Sequence, residues 1–160
     1  MGMRTIVGAI GVLGATASAQ GVAVGQRAPS AAVTTLDGRT TDVRKFLGHT
    51  ATVIEFWAKW CGNCRELAPA LQAAAGKYQG RVTFVTVAVD VDETPDDVKQ
   101  FAHEHGIAGP VLFDATGAAV DAYNVPGTSY LVAVDRHGTV VYTGTGPTQD
   151  VDAAVRKALE

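Results

Sequence analysis

The chain has two cysteines, and both fall in one segment, Glu55-Phe56-Trp57-Ala58-Lys59-Trp60-Cys61-Gly62-Asn63-Cys64. Upstream, Thr52, Val53, Ile54, Phe56 and Trp57 form an apolar run that reads as a buried strand. Downstream, Leu67, Ala70, Leu71, Ala74 and Ala75 recur at helical spacing. A C-x-x-C pair at a strand-to-helix junction is a redox signal rather than a scaffold signal. The first turn of a helix leaves its N–H groups unpaired, and the helix dipole places about half a positive charge there, so a thiolate is favoured. Thiols so placed have pKa values of roughly 3.5–7.5 instead of about 8.5. The i, i+3 spacing brings the second sulfur to the same face, close enough to close a small ring. A structural staple would normally close a longer loop.

Length and composition suit one globular domain. The chain has 160 residues, 47% of them apolar and 18% charged, with a net charge of −3. That charge gives no argument for a nucleic-acid partner. No apolar run reaches the roughly 20 residues of an ordinary membrane-spanning helix. Residues 1–19 read as a secretory signal: Arg4 supplies the positive region, Ile6 to Ala15 the short apolar region, and Ala17-Ser18-Ala19 a small-residue site with cleavage before Gln20. An uncleaved N-terminal membrane anchor is the alternative. Either form exports the domain, residues 20–160, to a periplasmic or other oxidising compartment.

Taken in order, Ala31 to Leu36 and Arg39 to Val43 form a β-hairpin across Asp37-Gly38, a two-residue turn signal. Lys45 to Gly48 suggests one helical turn. Thr52 to Trp57 is the expected central strand, and Cys61 to Tyr78 the helix carrying the thiols, with Pro69 inside it. Val82 to Val89 is a second buried, parallel strand. Thr94-Pro95-Asp96-Asp97 carries an N-cap, a first-position proline and a capping acid for a helix that stops at Gly106. Val111 to Phe113 is a short strand and Ala118 to Tyr123 a short helix. Ser129 to Asp135 and Thr139 to Thr145 pair as a hairpin, and Val151 to Leu159 is a final amphipathic helix. The pattern is α/β with a central mixed sheet flanked by helices.

The segment E-F-W-A-K-W-C-G-N-C resembles the active-site segment of the thioredoxin superfamily. It is most similar to that of the exported TlpA/ResA-like thiol–disulfide oxidoreductases. The lead-in Gly25 to Pro29, the Asp37-Gly38 hairpin and the strand–helix insertion at 111–123 extend the resemblance over nearly the whole chain after the leader. It implies a thioredoxin-like fold. By the same resemblance Cys61 is a partly exposed nucleophile and Cys64, shielded one turn in, resolves the mixed disulfide.

Glu55 is an acid in an otherwise apolar strand, and burying a carboxylate is costly enough to need a reason. By resemblance it is the general base for Cys64, with its pKa raised by burial. A surface ion pair with Lys59 is the alternative. The lysine that accompanies this acid in thioredoxins is replaced by Thr86. Trp60 is expected to shield the disulfide and form part of the substrate surface, whereas Trp57 fits core packing as well as function. Gly62 and Asn63 occupy the dipeptide that tunes redox potential. The family pattern Y-x-V-x-G-T-P aligns without gaps to Tyr123-Asn124-Val125-Pro126-Gly127-Thr128-Ser129, which places Thr128 and Ser129 in the substrate-binding loop. Ser129 then stands where the family has a cis-proline. Either a non-proline cis bond is kept there at about 3 kcal/mol, or the loop is trans and reshaped. Moving Pro126 into the role would need three inserted residues.

His49 and His137 fall in turns, and His103 and His105 point to different faces of one helix, so no metal site is expected. Asp90, Asp92, Glu93, Asp96 and Asp97 read as capping groups and a solvated loop, since the EF-hand glycine and terminal glutamate are missing. The expected function is reduction of protein disulfides by the Cys61/Cys64 dithiol. Cytochrome c maturation is the process suggested by resemblance, with a membrane electron donor, no cofactor and a monomeric state. The alternatives are a periplasmic oxidant that donates its disulfide, and a copper(I) metallochaperone with the two sulfurs as soft ligands.

Overall fold

A computed structural model of the chain describes residues 21–89 and 91–160. The expected leader and its cleavage site, and Asp90 of the acidic stretch, lie outside the described residues. In chain order the elements are β1 (Ala32–Thr35), β2 (Thr40–Asp42), a 3-10 turn (Val43–Phe46), β3 (Ala51–Trp57), α1 (Gly62–Lys77), β4 (Val82–Val89), α2 (Pro95–Glu104), β5 (Val111–Asp114), α3 (Ala118–Ala122), β6 (Tyr130–Val134), β7 (Val140–Thr145) and α4 (Val151–Leu159). The strands form one seven-stranded sheet in the order β2-β1-β5-β4-β3-β6-β7. β4 lies at its middle, with β3 beside it. The β3–β4 and β4–β5 pairs are parallel and the rest antiparallel, so the sheet is mixed as expected.

β3 is buried along its whole length, which is why it reads as a continuous apolar run rather than an alternating one. Its residues divide between two cores. Val53 joins Phe84, Leu131 and Ala133 against Leu67 and Ala74 of α1 and Val151, Ala154 and Val155 of α4. Ile54 and Phe56 join Val85, Val87 and Val132 against Val43, Ala119 and Tyr123. α1 continues through Pro69. Its expected apolar face is narrower than the spacing suggests, because Ala70 is exposed.

The cap of α2 forms as read. The Thr94 side chain accepts the Asp97 backbone N–H, the Asp97 carboxylate accepts the Thr94 N–H, and Pro95 takes the first helical position. The first hairpin differs from expectation. Thr34 pairs with Thr40, and only Gly38 of the Asp37-Gly38 pair has a positive φ, +84°. A two-residue type I′ turn needs positive φ at both central residues. Asp37 instead accepts a hydrogen bond from the Thr35 hydroxyl, and the turn widens to residues 35–39.

Candidate active site

Cys61 and Cys64 are joined by a disulfide at the C-terminal end of β3. Cys61 is the N-cap of α1, with extended backbone at φ −74° and ψ 107°. Its Sγ accepts the Cys64 backbone N–H at 3.1 Å, where a serine or aspartate oxygen would ordinarily cap the helix. The sulfur is therefore aimed at the positive end of the helix dipole. One expectation is corrected here: Cys61 is 4% exposed, not partly exposed, and Cys64 is 1% exposed. The cause is the capping geometry, which turns Sγ inward against the first helical turn and onto Cys64.

The turn ahead of Cys61 is held from the loop that leads into α2. The Glu93 carboxylate accepts the Lys59 backbone N–H at 2.8 Å. The Trp60 indole N–H donates to the Val91 carbonyl at 3.2 Å, and Lys59 Nζ pairs with Asp97 at 3.2 Å. From α1, Arg65 Nη1 donates to the Lys59 carbonyl at 3.0 Å. With its indole so tethered, Trp60 is 50% exposed and forms an apolar surface with Val91, also 50% exposed. Glu93 is the residue that sequence reasoning missed. It is buried, with Oε2 lacking a hydrogen-bond partner among the described residues, not part of a solvated loop. Burial raises its pKa, while hydrogen bonds from the backbone of Lys59 and Trp60 pull it back. Nothing in the local pattern separates Glu93 from its solvated acidic neighbours, because the contact that buries it comes from a segment 34 residues earlier.

Glu55 is buried, 7% exposed, and its Oε1 has no hydrogen-bond partner among the described residues. Desolvation alone pushes its pKa up to about 8. Lys59 is engaged by Asp97, so the surface-pair alternative for Glu55 does not hold. Across the β3–β4 ladder Glu55 faces Thr86, whose short side chain leaves space rather than charge beside the acid. Glu55 and Cys64 line one cavity of about 240 Å³ between α1, β4 and the end of α2. Trp57 is buried and tilts against Phe101 at a ring separation of 5.2 Å, which makes it core.

The loop before β6 resolves the proline question in favour of a trans, reshaped backbone. Among the described residues no peptide bond is cis, and Ser129 adopts φ +61°. Its N–H donates to the Phe56 carbonyl at 2.9 Å, its Oγ to the Gly146 carbonyl at 3.2 Å, and its own carbonyl accepts Gln149 Nε2 at 3.0 Å. A non-glycine residue in this region costs roughly 1–2 kcal/mol, and these bonds offset it. Ser129 is completely buried, so it offers no surface to a substrate; Thr128 beside it is half-buried. Gly62 and Asn63 are exposed on the first turn of α1. Among the described residues no group of three or more His, Cys, Asp or Glu side chains is placed to hold a metal ion.

The family model named Redoxin matches residues 23–159. The chain is 29% identical over 118 residues to the thiol-disulfide oxidoreductase ResA of Bacillus thuringiensis, covering 74% of this chain and 67% of that one. It is similar to the crystal structure of a thiol:disulfide interchange protein of the thioredoxin family from Chlorobium tepidum, at 30% identity and a TM-score of 0.69, covering 87% and 99% of the two chains. A secreted Mycobacterium tuberculosis disulfide oxidoreductase, homologous to E. coli DsbE, superposes at a TM-score of 0.66 and 29% identity, over 81% and 95% of the two chains.

Proposed function

The chain belongs to the redoxin family and is a thiol–disulfide oxidoreductase, and from that premise we propose that it is exported and uses the Cys61/Cys64 dithiol to reduce disulfides in protein substrates. The observation that carries the reading is Cys61 Sγ seated as the cap of α1, accepting the Cys64 N–H. That environment stabilises a thiolate and makes Cys61 both nucleophile and good leaving group.

In the reduced state Cys61 Sγ, only 4% exposed while bonded to Cys64, is freed to turn outward, and its thiolate attacks one sulfur of a substrate disulfide. The substrate bond breaks, Cys61 forms a mixed disulfide, and the departing substrate thiolate takes up a proton. Glu55, in its ionised form, then accepts the Cys64 proton. The Cys64 thiolate attacks Cys61 Sγ, and the second substrate thiolate leaves with a proton. Two electrons pass to the substrate, whose two thiolates take up one proton from solvent and one that leaves Cys64 through Glu55, and a membrane electron donor restores the pair. A Glu55 pKa of about 8 is close to the ordinary thiol value of about 8.5, so this proton transfer is nearly balanced in energy. Trp60 and Thr128 form the surface against which the substrate lies. Ser129 acts beneath it by shaping the loop, and Gly62 and Asn63 tune the potential. The secreted character of the mycobacterial relative supports export, and cytochrome c maturation is the process that the resemblance to TlpA/ResA-like proteins suggests.

The test is a redox titration against glutathione or dithiothreitol, read by alkylation and mass, with Cys64→Ser used to trap substrates. A midpoint near −270 mV, the thioredoxin value, supports reduction, whereas one near −120 mV, that of DsbA, refutes it. Cys64→Ser should accumulate mixed disulfides through Cys61, and a Cys61→Ser, Cys64→Ser double variant should not. Equal trapping by both would refute the assignment of the nucleophile.

A further inference from the structure

The loop before β6 is held by a side chain from a part of the chain that takes no step in the exchange reaction. Gln149, just ahead of α4, donates through Nε2 to the Ser129 carbonyl at 3.0 Å and to the Gly146 carbonyl at 2.7 Å. Both partners of that nitrogen are carbonyls, which fixes it as the donating end of the amide. Its Oε1 accepts the Tyr142 hydroxyl at 3.4 Å. Ser129 and Gly146 are also bonded to each other: the Gly146 N–H donates to the Ser129 carbonyl at 3.1 Å, and Ser129 Oγ to the Gly146 carbonyl at 3.2 Å. Gly144 makes room for this arrangement. It lies inside β7, opposite Leu131, and has no positive φ, so conformational freedom does not explain a glycine there. Space does: a Cβ at Gly144 would overlap both the Tyr142 hydroxyl and Gln149 Oε1.

We propose that Gln149 is a positioning residue for substrate binding: its amide holds Ser129 at positive φ, and through Ser129 it sets the place of Thr128. This rests on Thr128 being part of the substrate surface, as proposed above; the hold on the loop does not. Thr128 cannot fix its own position. Among the described residues neither Gly127 nor Thr128 is bonded backbone to backbone, so after Val125, whose N–H is tied to the Val120 carbonyl, the chain is next fixed at Ser129. At φ +61°, Ser129 occupies a region that a serine leaves unless its surroundings hold it. Two anchors do so: the Phe56 carbonyl takes its N–H, and the Gln149 amide takes its carbonyl. The first is backbone and survives substitution of Phe56. The second is a single side chain and can be removed. Without it the loop visits positions in which Thr128 does not meet the substrate, and apparent affinity falls with the fraction of molecules that keep the competent form. The hydrogen bonds of Gln149 go to Ser129, Gly146 and Tyr142, none of them to Cys61, Cys64 or Glu55. The loss therefore falls on KM and not on thiol chemistry.

The experiment compares wild type with Gln149→Met, which keeps the length of the side chain without its donors, and with Gln149→Glu at pH 8, where a carboxylate of the same shape can only accept. Each is assayed for reduction of a disulfide-bonded peptide and of 2-hydroxyethyl disulfide, which is too small to lie along the loop. The redox midpoint, the Cys61 alkylation rate of the reduced protein and amide exchange at residues 127–129 are measured alongside. Gln149→Met should raise KM for the peptide about five- to ten-fold with kcat unchanged. Its turnover of the small disulfide, its midpoint and its alkylation rate should match wild type, and exchange at residues 127–129 should be faster. Gln149→Glu should raise the peptide KM at least as much. Gly144→Ala, which displaces the amide without removing it, should give the same split of KM from kcat, and decides the matter if Gln149→Met fails to fold. Val155→Ala, a core truncation in α4, is the control for lost stability: it should unfold at lower urea and leave both KM values unchanged. A peptide KM unchanged in Gln149→Met, or raised equally by Val155→Ala, overturns the proposal, as does a midpoint that shifts with KM. A wild-type protein that reduces neither substrate, with exchange at residues 127–129 still sped by Gln149→Met, refutes the functional reading and the substrate role with it, and leaves the hold on the loop standing.

Discussion

Glu55 gives the most direct physical test of the site, through stability rather than activity. In the unfolded chain its carboxyl titrates near 4.5, and burial in the folded protein raises this to about 8. Between those values the folded protein holds a proton that the unfolded chain releases. Its favourable contribution is therefore complete below pH 4.5 and is lost as pH rises toward 8. One proton corresponds to about 1.4 kcal/mol per pH unit, so the full loss is about 5 kcal/mol and the part incurred by pH 7 about 3 kcal/mol. Residue exposure of 7% leaves little solvent to screen this.

Urea denaturation of the oxidised protein from pH 5 to 8, followed by fluorescence of Trp57 and Trp60, should show stability falling by about 1 kcal/mol per pH unit. Glu55→Gln keeps the shape and cannot ionise, so most of that slope should vanish, whatever the absolute cost of burying the amide. The buried Glu93, also raised, contributes in the same direction, so Glu93→Gln serves as the parallel control. Asp37, Asp42, Asp97 and Asp152 have lowered pKa values, so they lose their stabilising contribution only in acid and leave this window undisturbed. If Glu55→Gln and wild type show the same slope from pH 5 to 8, the acid is hydrated rather than buried, and its role as a base near neutrality fails with it.

Glu93→Ala should cost about 1–3 kcal/mol and, in the reduced protein, speed alkylation of Cys61 by freeing the turn at Lys59, whereas Glu93→Gln, which keeps an acceptor, should have a smaller effect. Ser129→Pro should destabilise the protein by about 3 kcal/mol or more, measured by denaturation, because it removes the N–H donor to Phe56 and cannot adopt φ +61°. Gly109→Ala should be among the most damaging single-methyl additions: Gly109 has φ +80°, and a Cβ there would overlap the Phe84 carbonyl oxygen. Retention of wild-type melting by Gly109→Ala would show that the approach of this loop to β4 is looser than described.

Most of the fold was legible because its elements carry local signals. β4 and α4 begin and end where their patterns do, and the α2 cap is written in four consecutive residues, Thr94-Pro95-Asp96-Asp97. The sulfur pair was legible for the same reason, being a spacing. What escaped the sequence was set by contacts between distant segments. The burial of Glu93 depends on Lys59, and the inward turn of Cys61 on how Sγ caps its own helix. The backbone at Ser129 was left open between two conformations, and Phe56 and Gln149 decide it through hydrogen bonds that no local pattern announces.

Among the described residues, three break ordinary rules of folded structure without help from residue type: Glu55 and Glu93 are buried acids with an unpartnered oxygen, and Ser129 has positive φ although it is not glycine, asparagine or aspartate; Asp92 and Asn124 also have positive φ, but they are of the two side-chain types that tolerate it. They come from β3, from the loop before α2 and from the loop before β6, yet all three converge on residues 55–59. Glu55 is one of those residues, Ser129 donates to Phe56, and Glu93 accepts from Lys59. Asp114, also buried with an unpartnered oxygen, is a different case, because its other oxygen caps α3 through Ala119 and Val120. Chance strain would be scattered over the sheet. Strain gathered on the strand end that delivers Cys61 is what a site under functional constraint produces, since each departure costs stability that selection for stability alone would recover. Under the proposed function, Glu93 and Ser129 hold the strand end and Glu55 holds the proton. Replacing any of the three should alter exchange chemistry more than its distance from either sulfur would suggest.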